Sequence, residues 1–284
     1  MPEPADAILD AHVHLWDTSR FELEWLAKVP PLAQRYRVGD LTAAIAGLPV
    51  TGAVAVQAGD TAAEAEWLLD VAARSDVIPS RVVLQYAPAA GAWLGAVQPV
   101  INRAGTLPAG VRLPLQRRPA DWTDLEGLGA LLSRLEEHGI VLELLLRPDQ
   151  LAVVRDLAAE HPRLQIVLCH LGLGSHEPTA SWRAALAELG GSPTVSAKIS
   201  GLFARSGTLS DADAAVRSAV AAAIETLGPH RLMFGSDWPM STLAGDYAAI
   251  VERTARALPD LTADESRSVW GRTADRLYGS TAPR

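Results

Sequence analysis

The sequence predicts an α/β protein folded as a single (β/α)8 barrel of the TIM type, and three observations predict it. Eight short runs rich in Val, Ile and Leu recur along the chain. Each is followed by a longer segment with helical spacing and an Ala-rich face, with short turns and no Ser/Gly linker, which is the alternation that builds a parallel sheet. The length of 284 residues suits one barrel, a fold that runs to about 250 residues as a single unit. A doubly wound sheet would share the alternation but needs a phosphate-binding glycine fingerprint after an early strand, and the sequence has none. We therefore expect one domain over residues 1–284 with an extra C-terminal helix.

The candidate strands, in order, are AILDAHVH from Ala7, GAVAVQ from Gly52, RVVLQYA from Arg81, AGVRLPL from Ala109, IVLELLLR from Ile140, LQIVLCHLG from Leu164, TVSAKISG from Thr194 and RLMFGSDWP from Arg231. Helix starts follow from capping chemistry. Asp60 precedes TAAEAEWLLDVAAR, Pro148 and Asp149 open PDQLAVVRDLAAEH, and Ser210 precedes DADAAVRSAVAAAIETLG. Gly139, Gly190 and Gly228 mark helix ends, because glycine accepts the left-handed conformation that closes a helix. Between Leu15 and Tyr36, Trp16, Trp25, Pro30 and Pro31 indicate an irregular loop after the first strand. The last helix, LTADESRSVWGRTADRLYG from Leu261, is expected to pack on the outside.

Composition narrows the partners. With 25 Lys+Arg against 33 Asp+Glu the formal charge is −8, which provides no basic footprint for nucleic acid or anionic lipid. Cys169 is the single cysteine, so no intramolecular disulfide and no thiolate cluster can form, as in a reducing compartment. The N-terminal MPEPADAILD has acidic residues where a secretory signal places basic ones. No later stretch approaches the ~18 apolar residues of a membrane span. The reading is a cytoplasmic protein acting on a small molecule, without nucleic acid or membrane, and with self-association left open.

In such a barrel, side chains at the carboxyl ends of the strands converge on one mouth. The first strand ends in Asp10-Ala11-His12-Val13-His14, and a period of two puts His12 and His14 on one face, within reach of one ion. An isolated pair of this kind is equally well a hydrogen-bonded couple. On the sixth strand His170 shares a face with Ile166 and Leu168, so Cys169 is expected to point the other way, toward the helices. The eighth strand ends in Gly235-Ser236-Asp237-Trp238-Pro239. Together His12, His14, His170 and Asp237 offer three nitrogens and a carboxylate, enough to hold a divalent ion with a position left for water or substrate.

Other strand-end polar groups are candidate substrate contacts: Gln57, Tyr86, Arg112, Arg147 and Lys198, with Trp16 and Trp238 as apolar walls. A guanidinium at the mouth suits a substrate carboxylate. Arg112 and Lys198 could equally neutralise Glu143 within the barrel, since a buried carboxylate needs a partner. His176, in the Gly-rich stretch GLGSHEP after the sixth strand, is a further candidate ligand from a loop. His138 sits at a helix end, and His161 and His230 sit in turns beside Pro162 and Pro229 as solvated residues, so none of the three is assigned chemistry.

These motifs taken together resemble the second amidohydrolase family of the amidohydrolase superfamily, in its fuconolactonase-like and pyrone-dicarboxylate-lactonase-like branch. The resemblance spans nearly the whole chain. It rests on DAHVHLWD at Asp10 to Asp17, GVRLPL at Gly110, IVLCHLG at Ile166, Trp182-Arg183, AKISGL at Ala197, RLMFGSDWP at Arg231 and GRTADRLYG at Gly271. It implies a (β/α)8 barrel whose catalytic centre is His12, His14, His170 and Asp237. Decarboxylases of that family hold zinc or manganese with this set, whereas some lactonases use the histidines as hydrogen-bond donors with no required metal. The expected function is hydrolysis of a cyclic ester or amide of a small, carboxylated or neutral organic substrate. His12, His14 and His170, directly or through an ion, would polarise the carbonyl, and Asp237 would activate water. The alternatives are a metal-dependent decarboxylase of an aromatic or unsaturated acid, and, more remotely, a catalytically silent ligand-binding barrel.

Overall fold

The computed structural model describes residues 7–74, 79–85, 107–174, 176–203 and 209–279. Eight strands, β1 (Ile8–Val13), β2 (Val50–Val56), β3 (Arg81–Gln85), β4 (Gly110–Pro114), β5 (Val141–Leu145), β6 (Ile166–Leu168), β7 (Val195–Ile199) and β8 (Leu232–Phe234), lie inside the eight predicted runs, except that β2 begins two residues before Gly52. They form one parallel sheet in sequence order. The sheet curls until Val13 forms a parallel bridge with Trp238, just beyond β8. His14 N–H donates to Trp238 O at 2.6 Å and Asp237 N–H to His12 O at 2.8 Å, so the seam of the barrel is stitched at the candidate site residues themselves.

Helices follow the strands: α1 (Val38–Ala44), α2 (Ala62–Arg74), α3 (Leu128–His138), α4 (Ala152–Glu160), α5 (Ala180–Glu188), α6 (Leu209–Leu227) and α7 (Tyr247–Ala257). Their starts differ in detail from the sequence expectation. Thr61, not Asp60, caps α2 through Oγ1 to Glu64 N at 3.2 Å. Pro148 and Asp149 open a short 3-10 turn ahead of α4, and α6 begins one residue before Ser210. Gly139 ends α3 at φ 64°, ψ 28°, the left-handed closure expected there. Among the described residues no helix is long and apolar enough to cross a membrane.

Alternate strand residues divide the core in two. Ala53, Ala55, Val111, Leu142, Leu144, Ile166, Leu168, Ala197 and Phe234 pack outward against the helices. Ala11, Val54, Val56, Val83, Val141, Val167 and Met233 pack inward. The C-terminal segment corrects one expectation. Helices α8 (Ala263–Arg267) and α9 (Thr273–Tyr278), joined by a π-turn over Ser268–Arg272, do not simply lie outside. Ala274, Leu277 and Tyr278 join the inward cluster, and Tyr278 OH donates to Glu143 Oε1 at 2.7 Å. The apolar face of this helix closes one end of the lumen, because the small residues Ala11, Val54 and Val56 leave room that an aromatic ring fills.

Candidate active site

His12, His14, His170 and Asp237 meet at the carboxyl end of the barrel. The Nε2 atoms of His12 and His14 are 3.2 Å apart. Asp237 Oδ1 lies 3.4 Å from His14 Nε2 and 3.6 Å from His12 Nε2. Donor atoms of His12, His170 and Asp237 all fall within 4.8 Å of one another, and the His12 and His170 rings are 4.9 Å apart. The β1 pairing register shifts between Asp10 and Val13, an irregularity of the kind that re-aims side chains beside functional sites. It lets His12 turn inward although its neighbour Ala11 also belongs to the lumen cluster.

His170 reaches the site by a different route from the one its spacing suggests. Ile166 and Leu168 face the helices, and Cys169 points into the barrel, its Sγ 3.3 Å from Glu143 Oε2. The expected orientation of Cys169 is therefore reversed. The strand ends at Leu168, and His170 and Leu171 both adopt φ 55°, so the alternation stops and a left-handed turn swings the imidazole back to the mouth. Asp237 has φ 58°. Non-glycine residues in this region are strained, and two of the three described here are members of the cluster.

Two glycines make the cluster possible. A Cβ at Gly201, φ +61°, would lie 2.6 Å from His170 Nδ1 and 3.0 Å from Asp237 Oδ2, and one at Gly235 would lie 2.7 Å from the His12 Cβ. Around them a fixed shell holds the rings. His14 Nδ1 contacts Val56 O at 2.7 Å, His170 Nδ1 contacts Ser200 Oγ at 2.8 Å, and Lys198 Nζ approaches His12 Nδ1 at 3.4 Å. Asp10, fully buried, clips the ends of β1 and β8 together. Its Oδ1 accepts from His12 N and Ser236 N, each at 2.9 Å, and its Oδ2 from Tyr247 OH at 2.7 Å. Neither Asp10 nor Ser200 was singled out by sequence reasoning. The only signal was position, since Asp10 precedes the His pair by two residues and Ser200 follows Lys198 by two.

The electrostatics are ordered. Burial, with the charges of Lys198, His14 and His170 added, pushes His12 well below the ordinary histidine value. Burial also lowers His170, against the opposing pull of Asp237. For Asp237 burial would raise the pKa, but His170, His14 and Arg112 outweigh it and hold the carboxyl below the ordinary aspartate value. Burial thus favours the neutral form of His12 and His170, beside a carboxyl whose neighbours favour its ionised form.

The remaining candidates are placed as follows. Arg112 donates from Nε to Gln85 Oε1 at 3.0 Å and from Nη2 to Gln57 O at 2.5 Å, leaving Nη1 without a hydrogen bond among the described residues. Gln57 is fully buried, donating to Thr61 O and accepting from Gln85 N. Lys198 is paired with Glu143 at 2.5 Å, both fully buried. Arg147 clamps the loop after β4 through Gln116 O and Arg118 O and pairs with Asp149. Trp16 is fully buried, donating to Gln34 O at 2.7 Å. It stacks edge-on with Trp25 and Tyr36, and Tyr36 in turn meets Trp238. His176 lines a separate cavity of about 400 Å³ with Asp149 and Glu177. Tyr86 lies outside the described residues. Of the histidines given no chemistry, His161 is not solvated but only 18% exposed beside Glu136, because the turn folds it back onto α3, and His230 contacts Ser268 Oγ at 2.8 Å.

Comparison with known proteins adds four findings. The family model described as Amidohydrolase matches residues 9–280. An L-fucono-1,5-lactonase of Burkholderia multivorans is 31% identical, the match covering 97% of each chain. Among solved structures, an amidohydrolase of Burkholderia multivorans with bound zinc superposes with a TM-score of 0.84 at 29% identity, over 96% of this chain and 99% of that one. A Pseudomonas putida protein named for 2-pyrone-4,6-dicarboxylic acid hydrolysis superposes with a TM-score of 0.71 at 25% identity, over 96% and 97%.

Proposed function

The chain belongs to the amidohydrolase family and is a hydrolase, and on that premise we propose that it opens a small lactone ring, with Asp237 as the base that activates water. The observation that carries the reading is the Asp237 carboxylate, held 3.4 Å and 3.6 Å from two imidazole nitrogens at the mouth of the barrel. A lactone whose carbonyl oxygen lies against those imidazoles presents its carbonyl carbon to a water on Asp237.

The steps balance without further reagents. Asp237 takes a proton from water as the water oxygen bonds to the carbonyl carbon. The oxygen that gains charge accepts a hydrogen bond from an imidazole N–H at the mouth, where a buried, fixed donor is worth far more than in water. Collapse of the tetrahedral intermediate breaks the ring C–O bond, and the proton on Asp237 passes to the departing ring oxygen. Arg112 Nη1 is the group on hand for a substrate carboxylate or hydroxyl.

A divalent ion fits the donor set. Bonds of about 2.0–2.1 Å to a tetrahedral ion require donors about 3.3 Å apart, and the separations among His12, His14 and Asp237 are 3.2, 3.4 and 3.6 Å. His12, His14, His170 and Asp237 would hold it, and when bound it supplies Lewis acidity at the carbonyl oxygen. Zinc is the first ion to test, because the relative from Burkholderia multivorans carries it.

The test is a panel of 1,5-lactones, L-fucono-1,5-lactone first, together with cyclic amides, 2-pyrone-4,6-dicarboxylate and hydroxylated aromatic acids, followed by acid release and by carbon dioxide release. The reading expects acid release from a lactone and no carbon dioxide from any compound. Decarboxylation of an aromatic acid, with every lactone left intact, would overturn it.

A further inference from the structure

The three histidines differ in what stands behind them. His14 Nδ1 faces the carbonyl of Val56 at 2.7 Å, which can only accept, so Nδ1 carries a proton. His170 Nδ1 faces a hydroxyl, Ser200 Oγ, which serves either way. His12 Nδ1 faces Lys198 Nζ at 3.4 Å, and an ammonium has donors only. We propose that Lys198, anchored on Glu143, is a positioning residue that keeps Nδ1 of His12 bare and its proton on Nε2, so that His12 faces the reacting oxygen as a donor and binds a divalent ion at a penalty.

The two rings are fixed from behind. Lys198 donates to His12 Nδ1 and His14 Nδ1 donates to Val56 O, while the two Nε2 atoms, 3.2 Å apart, face the mouth. Lys198 cannot drift. Its Nζ lies 2.5 Å from Glu143 Oε1, and Glu143 is held on its other sides by Tyr278 OH and Cys169 Sγ, all four residues being fully buried. A buried ion pair is a poor source of stability compared with apolar packing. The strand residues of the inward cluster around it are Ala, Val and Met, so the pair calls for a role other than filling space.

The consequence for metal binding follows from the same contact. Histidines that ligate a metal donate their second N–H to a carboxylate, carbonyl or water, as His14 does to Val56. Ligation through His12 Nε2 would move the ring proton to Nδ1, where it would point at an ammonium. Without Lys198, Glu143 stands close enough to serve as acceptor, its carboxylate lying within 4.8 Å of a His12 ring nitrogen.

The catalytic meaning rests on the lactonase reading, but the experiment does not use substrate and so fails separately from it. Long-range proton–nitrogen correlation on metal-free, histidine-labelled full-length protein, with His12 assigned through His12→Asn, is expected to show a bare Nδ1 and a protonated Nε2. In Lys198→Met the proton should move to Nδ1, and calorimetric titration with zinc chloride should show about 10- to 100-fold tighter binding, the range typical of outer-contact changes. Tyr278→Phe removes a bond from Glu143 without touching Lys198, and should leave tautomer and zinc affinity as in the parent. A protonated Nδ1 in the parent protein, which needs no variant to observe, would overturn the proposal. So would unchanged zinc affinity in Lys198→Met, or an equal change in Tyr278→Phe.

Discussion

Adding one methyl group at Gly201 should cost this protein far more in activity than in stability. The new Cβ would sit 2.6 Å from His170 Nδ1, 2.7 Å from its Cε1 and 3.0 Å from Asp237 Oδ2, where ordinary contact begins at 3.4 Å. The imidazole must therefore retreat by about 0.8 Å, breaking its 2.8 Å contact with Ser200, and misplacement of about 1 Å at a reacting centre costs on the order of 100-fold in rate. Backbone strain at φ +61° adds about 1–2 kcal/mol for a residue with a Cβ, or a few degrees in Tm. Gly139→Ala separates the two effects, because Gly139 has φ +64° with nothing within 4 Å of its would-be Cβ. The assay is kcat/KM on the best lactone of the panel together with thermal unfolding, for both variants. Gly139→Ala should lose a few degrees in Tm and keep its activity, whereas Gly201→Ala should lose about 100-fold in kcat/KM. Gly201→Ala with parental activity would refute the placement of His170 and Asp237 as functional groups.

Two further outcomes concern the frame around the site. Burial raises Glu64 from 4.5 to about 7, against hydrogen bonds from Ala58 N and Gly59 N that favour its charge. Between those values the folded protein holds a proton that the unfolded chain has lost, so stability falls as pH rises across that window, by up to about 3 kcal/mol. Urea unfolding at pH 4.5 and pH 7.5 should show that fall in the parent and a smaller one in Glu64→Gln, and equal falls would contradict it. Asp10→Ala strands His12 N, Ser236 N and Tyr247 OH, so unfolding should show a loss of about 3 kcal/mol or more, and Tyr247→Phe about 1 kcal/mol. An Asp10→Ala protein as stable as the parent would mean that the seam between β1 and β8 is held elsewhere.

The barrel was legible because its signal is repeated. Outside the irregularity in β1, inward and outward residues alternate with a period of two, and runs such as GAVAVQ or TVSAKISG carry it on both faces. The His12 and His14 pair was legible for the same reason. His170 came to the site although its predicted face was wrong. The strand stops at Leu168, and a left-handed turn, invisible to periodicity, re-aims the ring while Cys169 takes the lumen. The support for the site was not legible, because it comes from residues remote in sequence. Asp10 meets Tyr247 across the seam, Lys198 meets Glu143 across the lumen, and Tyr278 reaches in from a helix whose apolar face reads the same whether it packs outside a barrel or beneath one. Lys198 and Arg112 were weighed as partners of Glu143 or as substrate contacts. Lys198 does pair with Glu143, whereas Arg112 turns two of its nitrogens to Gln85 and Gln57.

The most direct measurement is the turnover of Asp237→Asn on a lactone that the parent opens. The amide keeps the shape and the backbone bonds of Asp237 to His12 and Ser241 but cannot take a proton, so kcat should fall by about 10²- to 10⁴-fold with the unfolding transition little changed. Turnover at the parental rate in a correctly folded Asp237→Asn protein would remove the base from the mechanism, and with it the case for this cluster as the hydrolytic site.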